Sequence, residues 1–245
     1  MSLSPIDDTG LPADGSMHVV RSLELRVADG PHPLEVAKAQ SIAENWEREF
    51  AANPALFNGK MILQQQIRYR DGHLVAEGHV SSFATFMWWR RQPDLAGACH
   101  LFGYPVLVSS DDALIAVEMA PHTANRGQVY FAAGSLDLSD VVDGRCDIEG
   151  NMRREVQEET GLDLDEAEAD PVLQASYRSR RLTLARVFRF RETADQLVER
   201  IDAFARSSPE PEITRAVAIR SGDPAAHRYG VAMLPILSWY FGSAA

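Results

Sequence analysis

Residues 134–162, GSLDLSDVVDGRCDIEGNMRREVQEETGL, decide the fold class and the chemistry that we expect of this chain. They begin at the end of an apolar stretch, QVYFAAG (128–134), that is typical of a strand. The spacing of apolar residues in their second half predicts a helix over 148–160. Gly161 stands where a helix commonly ends in a left-handed residue. The segment is therefore predicted to end a strand, cross a long acidic loop and form a helix.

Three glutamates of this predicted helix share one face. At about 100° per residue, Glu155, Glu158 and Glu159 fall within an arc of about 100°. Arg154 stands four residues before Glu158, where the two can form an ion pair. Neighbouring carboxylates on an isolated helix repel one another by a few tenths of a kcal/mol per pair. Such a face is either solvated or binds hard divalent cations such as Mg²⁺ or Mn²⁺, which prefer oxygen ligands.

The nine residues that close the segment, REVQEETGL (154–162), carry a family resemblance. They match, residue for residue, the second half of the Nudix box, REUxEExGU, in which U is an aliphatic residue. Gly134 resembles the glycine that opens the box. Over about residues 100–241 the chain therefore resembles a Nudix hydrolase, and the resemblance implies a Nudix fold.

The first half of the box departs from the family pattern. The usual glycine and glutamate stand fourteen and eight positions before the arginine, where this chain has Asp140 and Cys146. Gly134 lies 20 positions before Arg154, so the loop is longer by six residues. In the family, the missing glutamate anchors the arginine. Its role could pass to one of three nearby acids, between which the sequence does not choose: Asp143, Asp147 and Glu149.

The resemblance also implies a reaction. Nudix enzymes use water to cleave a nucleoside diphosphate linked to another group, and divalent ions neutralise the phosphates and hold the reactants in line. Carried over by position, the metal ligands are Glu155, Glu158, Glu159 and the backbone carbonyl at Ala133 or Gly134. Arg154 would orient the glutamates. One of these glutamates, or one from the later loop that holds Glu210 and Glu212, would take a proton from the attacking water.

Substrate-binding candidates follow from where loops meet the box. The loop that enters the strand before Gly134 carries His122, Asn125 and Arg126, and Arg126 could bind a terminal phosphate. A predicted hairpin between strands 172–177 and 182–190 places Arg181 at its tip, beside Arg178 and Arg180. Three aromatic residues could stack on a base, namely Tyr177, Trp88 and Trp89.

The pattern of elements predicts an α/β (α+β) fold, with a mixed β-sheet between helices and a smaller N-terminal α+β portion. We divide the chain into a flexible tail (1–16), an N-terminal subdomain (17–99) and a Nudix domain (100–245). The segments 44–59, 88–93 and 100–135 resemble a Nudix subfamily with its own N-terminal domain, which includes UDP-glucose-type pyrophosphatases. The remaining predicted elements are a strand over 18–27, a helix over 34–50, a hairpin of 61–70 and 73–80, a helix over 81–91, strands over 101–110 and 113–119, a helix over 194–206 capped by Thr193 and Gln196, a strand over 213–220 and one or two helices over 224–241, interrupted at Pro235.

Composition excludes several functional classes. Among 245 residues, 24 Lys and Arg stand against 35 Asp and Glu, a net charge of −11, so neither nucleic acid nor an anionic membrane is an expected partner. No apolar run reaches the roughly 20 residues of a membrane span. Two cysteines, Cys99 and Cys146, fit a reduced, cytoplasmic compartment. The expected partner is a small nucleoside diphosphate derivative, and a homodimer is left open.

Three functional hypotheses remain open at this stage. The first is a metal-dependent pyrophosphohydrolase acting on a nucleotide sugar such as a UDP-sugar. The second is an ADP-ribose, dinucleotide or nucleotide-sanitising pyrophosphatase of the same kind. The third is a catalytically silent Nudix module that binds a nucleotide. The intact glutamate triplet favours an enzyme, because a binding module has no reason to keep a self-repelling face, whereas the altered first half of the box favours the silent module.

Overall fold

A computed structural model describes residues 9–94 and 97–242. Half of the predicted flexible tail, residues 1–8, lies outside this range, and Asp14–Ser16 belong to the first strand. The helices are α1 (Pro33–Ala37), α2 (Ala39–Ala52), α3 (Phe83–Trp89), α4 (Ile148–Thr160), α5 (Ala194–Ser207) and α6 (Met233–Phe241). The strands are β1 (Asp14–Val20), β2 (Ser22–Pro31), β3 (Lys60–Arg70), β4 (His73–Ser82), β5 (His100–Val108), β6 (Leu114–Met119), β7 (Val129–Tyr130), β8 (Val141–Val142), β9 (Arg145–Cys146), β10 (Glu168–Ala169), β11 (Leu173–Arg178), β12 (Arg181–Arg189) and β13 (Ile213–Ile219).

The strands form two mixed sheets, and the predicted α+β class is confirmed. The first sheet has the order β1-β11-β12-β5-β6-β13, with β10 beside β12 and β7 beside β6. The second has the order β3-β4-β2-β9-β8. Within them, β12 runs parallel to β5 and β2 parallel to β4, while the other pairs are antiparallel. Helices α4, α5 and α6 pack against strands of the first sheet.

The two predicted portions of the chain exchange strands. β1 comes from the N-terminal portion and pairs with β11 of the first sheet, whereas β8 and β9 come from the C-terminal portion and extend the second sheet. One hydrophobic cluster also joins side chains of both portions. The boundary at residues 99 and 100 stays a prediction, and the shared core ties the two sides of it together.

Helix α4 is held on the first sheet by its apolar stripe. Ile148, Met152 and Val156 recur every four residues, and all three are buried. Opposite them, β5 carries Gly103, where an added Cβ would lie 2.8 Å from the Met152 Cγ. Because no side chain separates strand and helix there, α4 packs closely on β5. Gly161 ends the helix with φ +69°, as predicted.

Most local predictions are confirmed. The hairpins around Asp71–Gly72 and around 179–180 form, the helix over 81–91 appears as α3, and Thr193 and Gln196 build a reciprocal cap on α5. Strands β5, β6 and β13 agree with the predicted 101–110, 113–119 and 213–220.

Other boundaries are wrong. The strand predicted over 18–27 is two strands, the helix over 34–50 is broken at Lys38, and the strand over 128–134 reduces to Val129–Tyr130. Pro235 does not interrupt α6, because it lies in the first helical turn, where a backbone N–H has no partner within the helix. Among the residues described, no helix is long and apolar enough to cross a bilayer.

Candidate active site

A cavity of about 870 Å³ opens between the two portions of the chain. Its walls come from the segment before β3, from α3, and from one face of β5, where His100, Phe102 and Tyr104 alternate with buried residues. The loops before and after β7, the loop before β13 and the segment before α6 complete it. The N-terminal portion therefore forms part of the same cavity as the glutamate helix.

Carboxylates gather at one end of this cavity. Glu155 and Glu159 line it from α4, and Glu210 and Glu212 line it from the loop before β13. Glu159 is only 7% exposed, and its Oε2 atom is buried without a hydrogen-bond partner. Both α4 glutamates lie at the edge of the apolar stripe, so the packing of α4 on the sheet points them inward. We call these four residues, together with Gly134, the carboxylate end.

Gly134 is required by the position of Glu155. A Cβ added at residue 134 would lie 2.2 Å from the Glu155 Oε1 and 2.5 Å from its Oε2, closer than any real contact. The carboxylate therefore rests directly on the backbone at the end of the segment after β7. Position 134, predicted to open the box, thus has to be glycine because any side chain there would clash with Glu155.

Burial disfavours the charged form of both glutamates on the cavity side. Burial raises the pKa of Glu155 to about 7, against the lowering effect of Arg154 and with a further increase from Glu158. Burial also raises the pKa of Glu159 well above its ordinary value, and the charges of Glu155 and Glu212 add to this. Burial thus makes each group costly to ionise, and for Glu155 the Arg154 guanidinium offsets only part of that cost.

Arg154 lies on the outer side of the same helix and joins three carboxylates. Its Nη2 lies 3.1 Å from the Asp140 Oδ2, and its Nη1 lies 2.8 Å from the Glu155 Oε1 and 3.1 Å from the Glu158 Oε2. The ion pair predicted between Arg154 and Glu158 is present. The arginine is therefore placed to fix the carboxylate of Glu155 against Gly134.

The anchor of Arg154 is Asp140, and the three anchors considered from the sequence are wrong. Asp147 caps the N-terminus of α4, Glu149 pairs with Arg186, and Asp143 is exposed in a turn with φ +49°. A 3₁₀ turn over Leu138–Asp140 brings the Asp140 carboxylate beneath α4. There it also accepts hydrogen bonds from Asn151 Nδ2 (3.0 Å) and from the backbone N–H of Asp137 (2.9 Å).

Glu158 faces outward. Its side chain is 60% exposed, and it does not line the cavity. Across residues 9–94 and 97–242, no group of three or more His, Cys, Asp or Glu side chains stands close enough to hold a metal ion. Two features nevertheless fit a cation at the carboxylate end, namely the unpartnered Glu159 Oε2 and the Glu155 carboxylate resting on a bare glycine backbone.

The substrate-binding candidates divide into two groups. His122, Asn125 and Arg181 line the cavity. Arg126 is exposed outside the lining, and Tyr177 is buried in the hydrophobic core because its position on β11 points it inward. Trp88 and Trp89 also lie outside the lining, and Trp89 is fully buried.

Sequence reasoning missed two features of the cavity. One is Arg90, which follows α3 and lines the cavity. The other is a row of four rings, Phe86, His100, Phe102 and Tyr104, with successive centroids 4.6, 4.8 and 5.0 Å apart. Alternation along residues 100–104 was a usable signal for three of the rings, whereas the position of Arg90 depends on how α3 packs.

Comparisons with known proteins complete the description. No family model matches the chain, and no curated protein matches it. Similar solved structures include the DR0079 protein of Deinococcus radiodurans (TM-score 0.40, 12% identity, 58% of this chain and 83% of that chain). They also include a MutT protein from Methanosarcina mazei (0.38, 12%, 58% and 91%). A third is the Nudix hydrolase RenU from M. smegmatis (0.35, 12%, 58% and 79%).

Proposed function

We propose that this chain is a Nudix-type hydrolase that uses Mg²⁺ or Mn²⁺ to cleave the diphosphate bond of a nucleoside diphosphate derivative. One observation carries the proposal. The helix with the sequence REVQEETGL points Glu155 and Glu159 into a cavity of about 870 Å³, with the Glu155 carboxylate seated on Gly134. A merely solvated glutamate face would have no cavity before it and no need for that glycine.

The residues of the carboxylate end have distinct proposed roles. Glu155, Glu159 and the backbone carbonyl at Gly134 or Ala133 would hold the cation, and Glu158 would join them after turning away from Arg154. When bound, such an ion supplies a Lewis acid and lowers the pKa of bound water. Arg154 is a positioning residue that restrains Glu155 and Glu158 through its ion pairs.

We propose two candidates for the base, Glu155 and Glu212. Glu155 has a pKa of about 7, which suits a group that accepts a proton near neutral pH. Glu212 is exposed at the rim of the cavity, where water reaches it. In either case the carboxylate accepts the proton of the attacking water, and the water oxygen forms a new bond to phosphorus as the diphosphate bridge breaks.

For the substrate, we propose a nucleotide sugar such as a UDP-sugar. A cavity of about 870 Å³ lies in the upper part of the range for small-molecule sites. Its row of rings offers stacking surface for a base or a sugar. The alternatives are an ADP-ribose, dinucleotide or nucleotide-sanitising pyrophosphatase, or a silent nucleotide-binding module, which the altered first half of the box favours. We further propose a cytoplasmic location, which fits the free thiols of Cys99 and Cys146.

A substrate screen tests the proposal. Nucleoside diphosphate sugars, ADP-ribose and dinucleotides are incubated with Mg²⁺, Mn²⁺ or excess chelator, and the released phosphomonoester is measured. We expect turnover of at least one substrate with a cation and none in chelator. The matched controls are Glu155→Gln, which should be inactive, and Glu149→Gln, an exposed glutamate of the same helix, which should not. Turnover in chelator would contradict the metal-dependent mechanism, and nucleotide binding without turnover would favour the silent module.

A further inference from the structure

The lining of the cavity also carries two arginines. Arg90 follows α3 from the N-terminal portion, and Arg181 begins β12 from the C-terminal portion. Both line the cavity, and both are partly buried. Arg181 is paired in register with His100 of β5, so it stands at the start of the row of rings. We call Arg90 and Arg181 the arginine end.

Neither arginine has an acidic partner. Among the residues described, no ion pair includes Arg90 or Arg181. Their polar contacts are neutral, since Arg90 Nη2 donates to Asn125 Oδ1 (3.2 Å) and Arg181 Nη1 donates to the Ser179 carbonyl (3.0 Å). This is unexpected in a chain with 35 acidic and 24 basic residues.

The two guanidinium groups are held in place although they repel each other. The Arg90 Cζ lies 5.5 Å from the Phe86 ring centroid, and the Arg181 Cζ lies 5.9 Å from that of Trp89. Asn125 also donates to the Tyr130 hydroxyl (3.2 Å), which fixes its carbonyl toward Arg90. Burial lowers the pKa of both arginines, and the charge of Arg181 lowers that of Arg90 further. Arginine nevertheless stays charged in proteins.

Two further charges that act on Arg90, those of Glu49 and Arg91, pair with each other and shift its pKa in opposite directions. The ring of His100 lies between Phe86 and Phe102, and burial lowers its pKa to about 3, so it is neutral. Its Nε2 lies 2.9 Å from the Ser135 Oγ. Two partly buried cations that make no ion pair cost free energy that a bound anion would recover.

The row of rings lies between the two ends. Residues 100–104 of β5 extend about 13 Å at ~3.3 Å per residue, with Arg181 in register with His100, and the charges of both Glu159 and Arg181 act on Tyr104. The row of rings connects them. A ligand that extends along these rings from the carboxylate end therefore brings its far group to the arginine end.

We infer that Arg90 and Arg181 form a binding site for a second anionic group of the substrate, a carboxylate or phosphate ester remote from the diphosphate. The inference rests on the proposed function for the position of the diphosphate. It narrows the substrate class to nucleoside diphosphate derivatives that carry an extra oxyanion. Asn125 is a positioning residue for Arg90.

Binding measurements test the inference without turnover. Calorimetry in excess chelator compares two pairs of ligands that differ by one anionic group: UDP-glucose with UDP-glucuronate, and NAD with NADP. The first pair tests a carboxylate on the sugar, and the second tests a phosphate on a ribose. We expect the wild type to prefer the anionic member of at least one pair by roughly 10- to 100-fold, the range for losing one charge-assisted hydrogen bond.

Variants assign the preference to the arginines. Arg90→Gln and Arg181→Gln should each lower it about tenfold, Arg181→Lys should keep part of it, and Arg91→Gln should keep all of it. Arg91 is a suitable control because it follows Arg90 but pairs with Glu49 outside the cavity lining. Melting curves establish that each variant is folded.

Several results would overturn the inference. The first two are that the wild type binds neither anionic ligand, or prefers the anionic member of neither ligand pair. The other two are that the preference survives both Arg→Gln changes, or that these changes weaken the binding of both members of a pair equally. The last result would assign the arginines to the diphosphate itself. The substrate screen decides the proposed function separately, because hydrolysis can occur without this preference and the preference without hydrolysis.

Discussion

Each end of the cavity holds side chains of a single charge sign, glutamates at one end and arginines at the other. Only the glutamates can become neutral by a change of pH. At the carboxylate end, burial raises the pKa of Glu155 to about 7, so this group can take up a proton near neutral pH, and burial also raises the pKa of Glu159 well above its ordinary value. At the arginine end, Arg90 and Arg181 keep their charge at any pH at which the protein folds. The carboxylate end can therefore respond to pH and to cations, whereas the arginine end requires an anion.

The largest expected effect is a loss of turnover that depends on the carboxylate end and not on the arginine end. Glu155→Gln removes a negative oxygen from the carboxylate end while keeping the shape of the side chain. We expect kcat to fall by about 10³-fold or more, because electrostatic stabilisation of the transferred phosphoryl group dominates such reactions. The preference of the arginine end for an anionic ligand should not change. Steady-state kinetics and calorimetry on the same preparation measure both.

The contrast between the two ends would be wrong if Glu155→Gln changed both kcat and the preference for the anionic ligand. A rate within tenfold of wild type would also show that Glu155 does not act in the reaction. Glu149→Gln is the matched control on α4, since Glu149 is exposed and pairs with Arg186 away from the cavity.

The second effect concerns pH. Between the ordinary pKa of 4.5 and about 7, the folded protein holds the Glu155 proton more tightly than the unfolded chain does. The free energy of unfolding should therefore decrease as pH rises through this window, by on the order of 3 kcal/mol for Glu155 alone. Mg²⁺ should restore stability at pH 8 more than at pH 5, since a cation that binds only the folded state stabilises it.

Two buried histidines act in the opposite direction. Burial lowers the pKa of His32 to about 4 and that of His100 to about 3, so these groups destabilise the folded protein as pH falls. The prediction is therefore made for the difference between wild type and Glu155→Gln in urea unfolding at pH 5 and pH 8 with chelator present. A difference that does not change with pH would mean that Glu155 titrates normally.

The third effect tests the contact between Glu155 and the backbone. Gly134→Ala places a Cβ where the carboxylate now lies, so Glu155 must move out of position. We expect kcat to fall about 100-fold with a small change in melting temperature, because the glycine does not have a positive φ. Gly230→Ala is the control, since it also lines the cavity but its Cβ would meet its neighbours at 3.5 Å. Equal rates for the two variants would contradict the steric role of Gly134.

The sequence predicted the carboxylate end better than the arginine end for a physical reason. Glu155 and Glu159 belong to one helix, whose periodicity fixes their common direction, and Gly161 and the apolar stripe mark its end and its buried side. Arg90 and Arg181 are 91 positions apart, and they meet only because α3 packs near the start of β12. Asp140 was not predicted as the anchor of Arg154 for a related reason, since its carboxylate reaches Arg154 only through the 3₁₀ turn of the lengthened loop.

The smallest expected effect tests that turn. Asp140 is 5% exposed and accepts hydrogen bonds from Asn151, from the backbone of Asp137 and from Arg154. Asp140→Asn removes the charge and can turn an amide N–H₂ toward the guanidinium. We expect the free energy of unfolding to fall by about 2 kcal/mol, as for a buried charge-assisted hydrogen bond, since Glu155 and Glu158 still compensate Arg154.

Asp143→Asn is the matched control for this change. It alters an exposed acid of the same loop, and asparagine tolerates the positive φ of that position. We expect a loss below about 0.5 kcal/mol in urea unfolding, the usual range for surface substitutions. In Asp140→Asn, kcat should also fall roughly tenfold because Arg154 restrains Glu155 less firmly, while the preference at the arginine end stays the same. If the two variants are equally stable and equally active, Arg154 does not depend on Asp140, and the ion pair between them contributes nothing to the order of the carboxylate end.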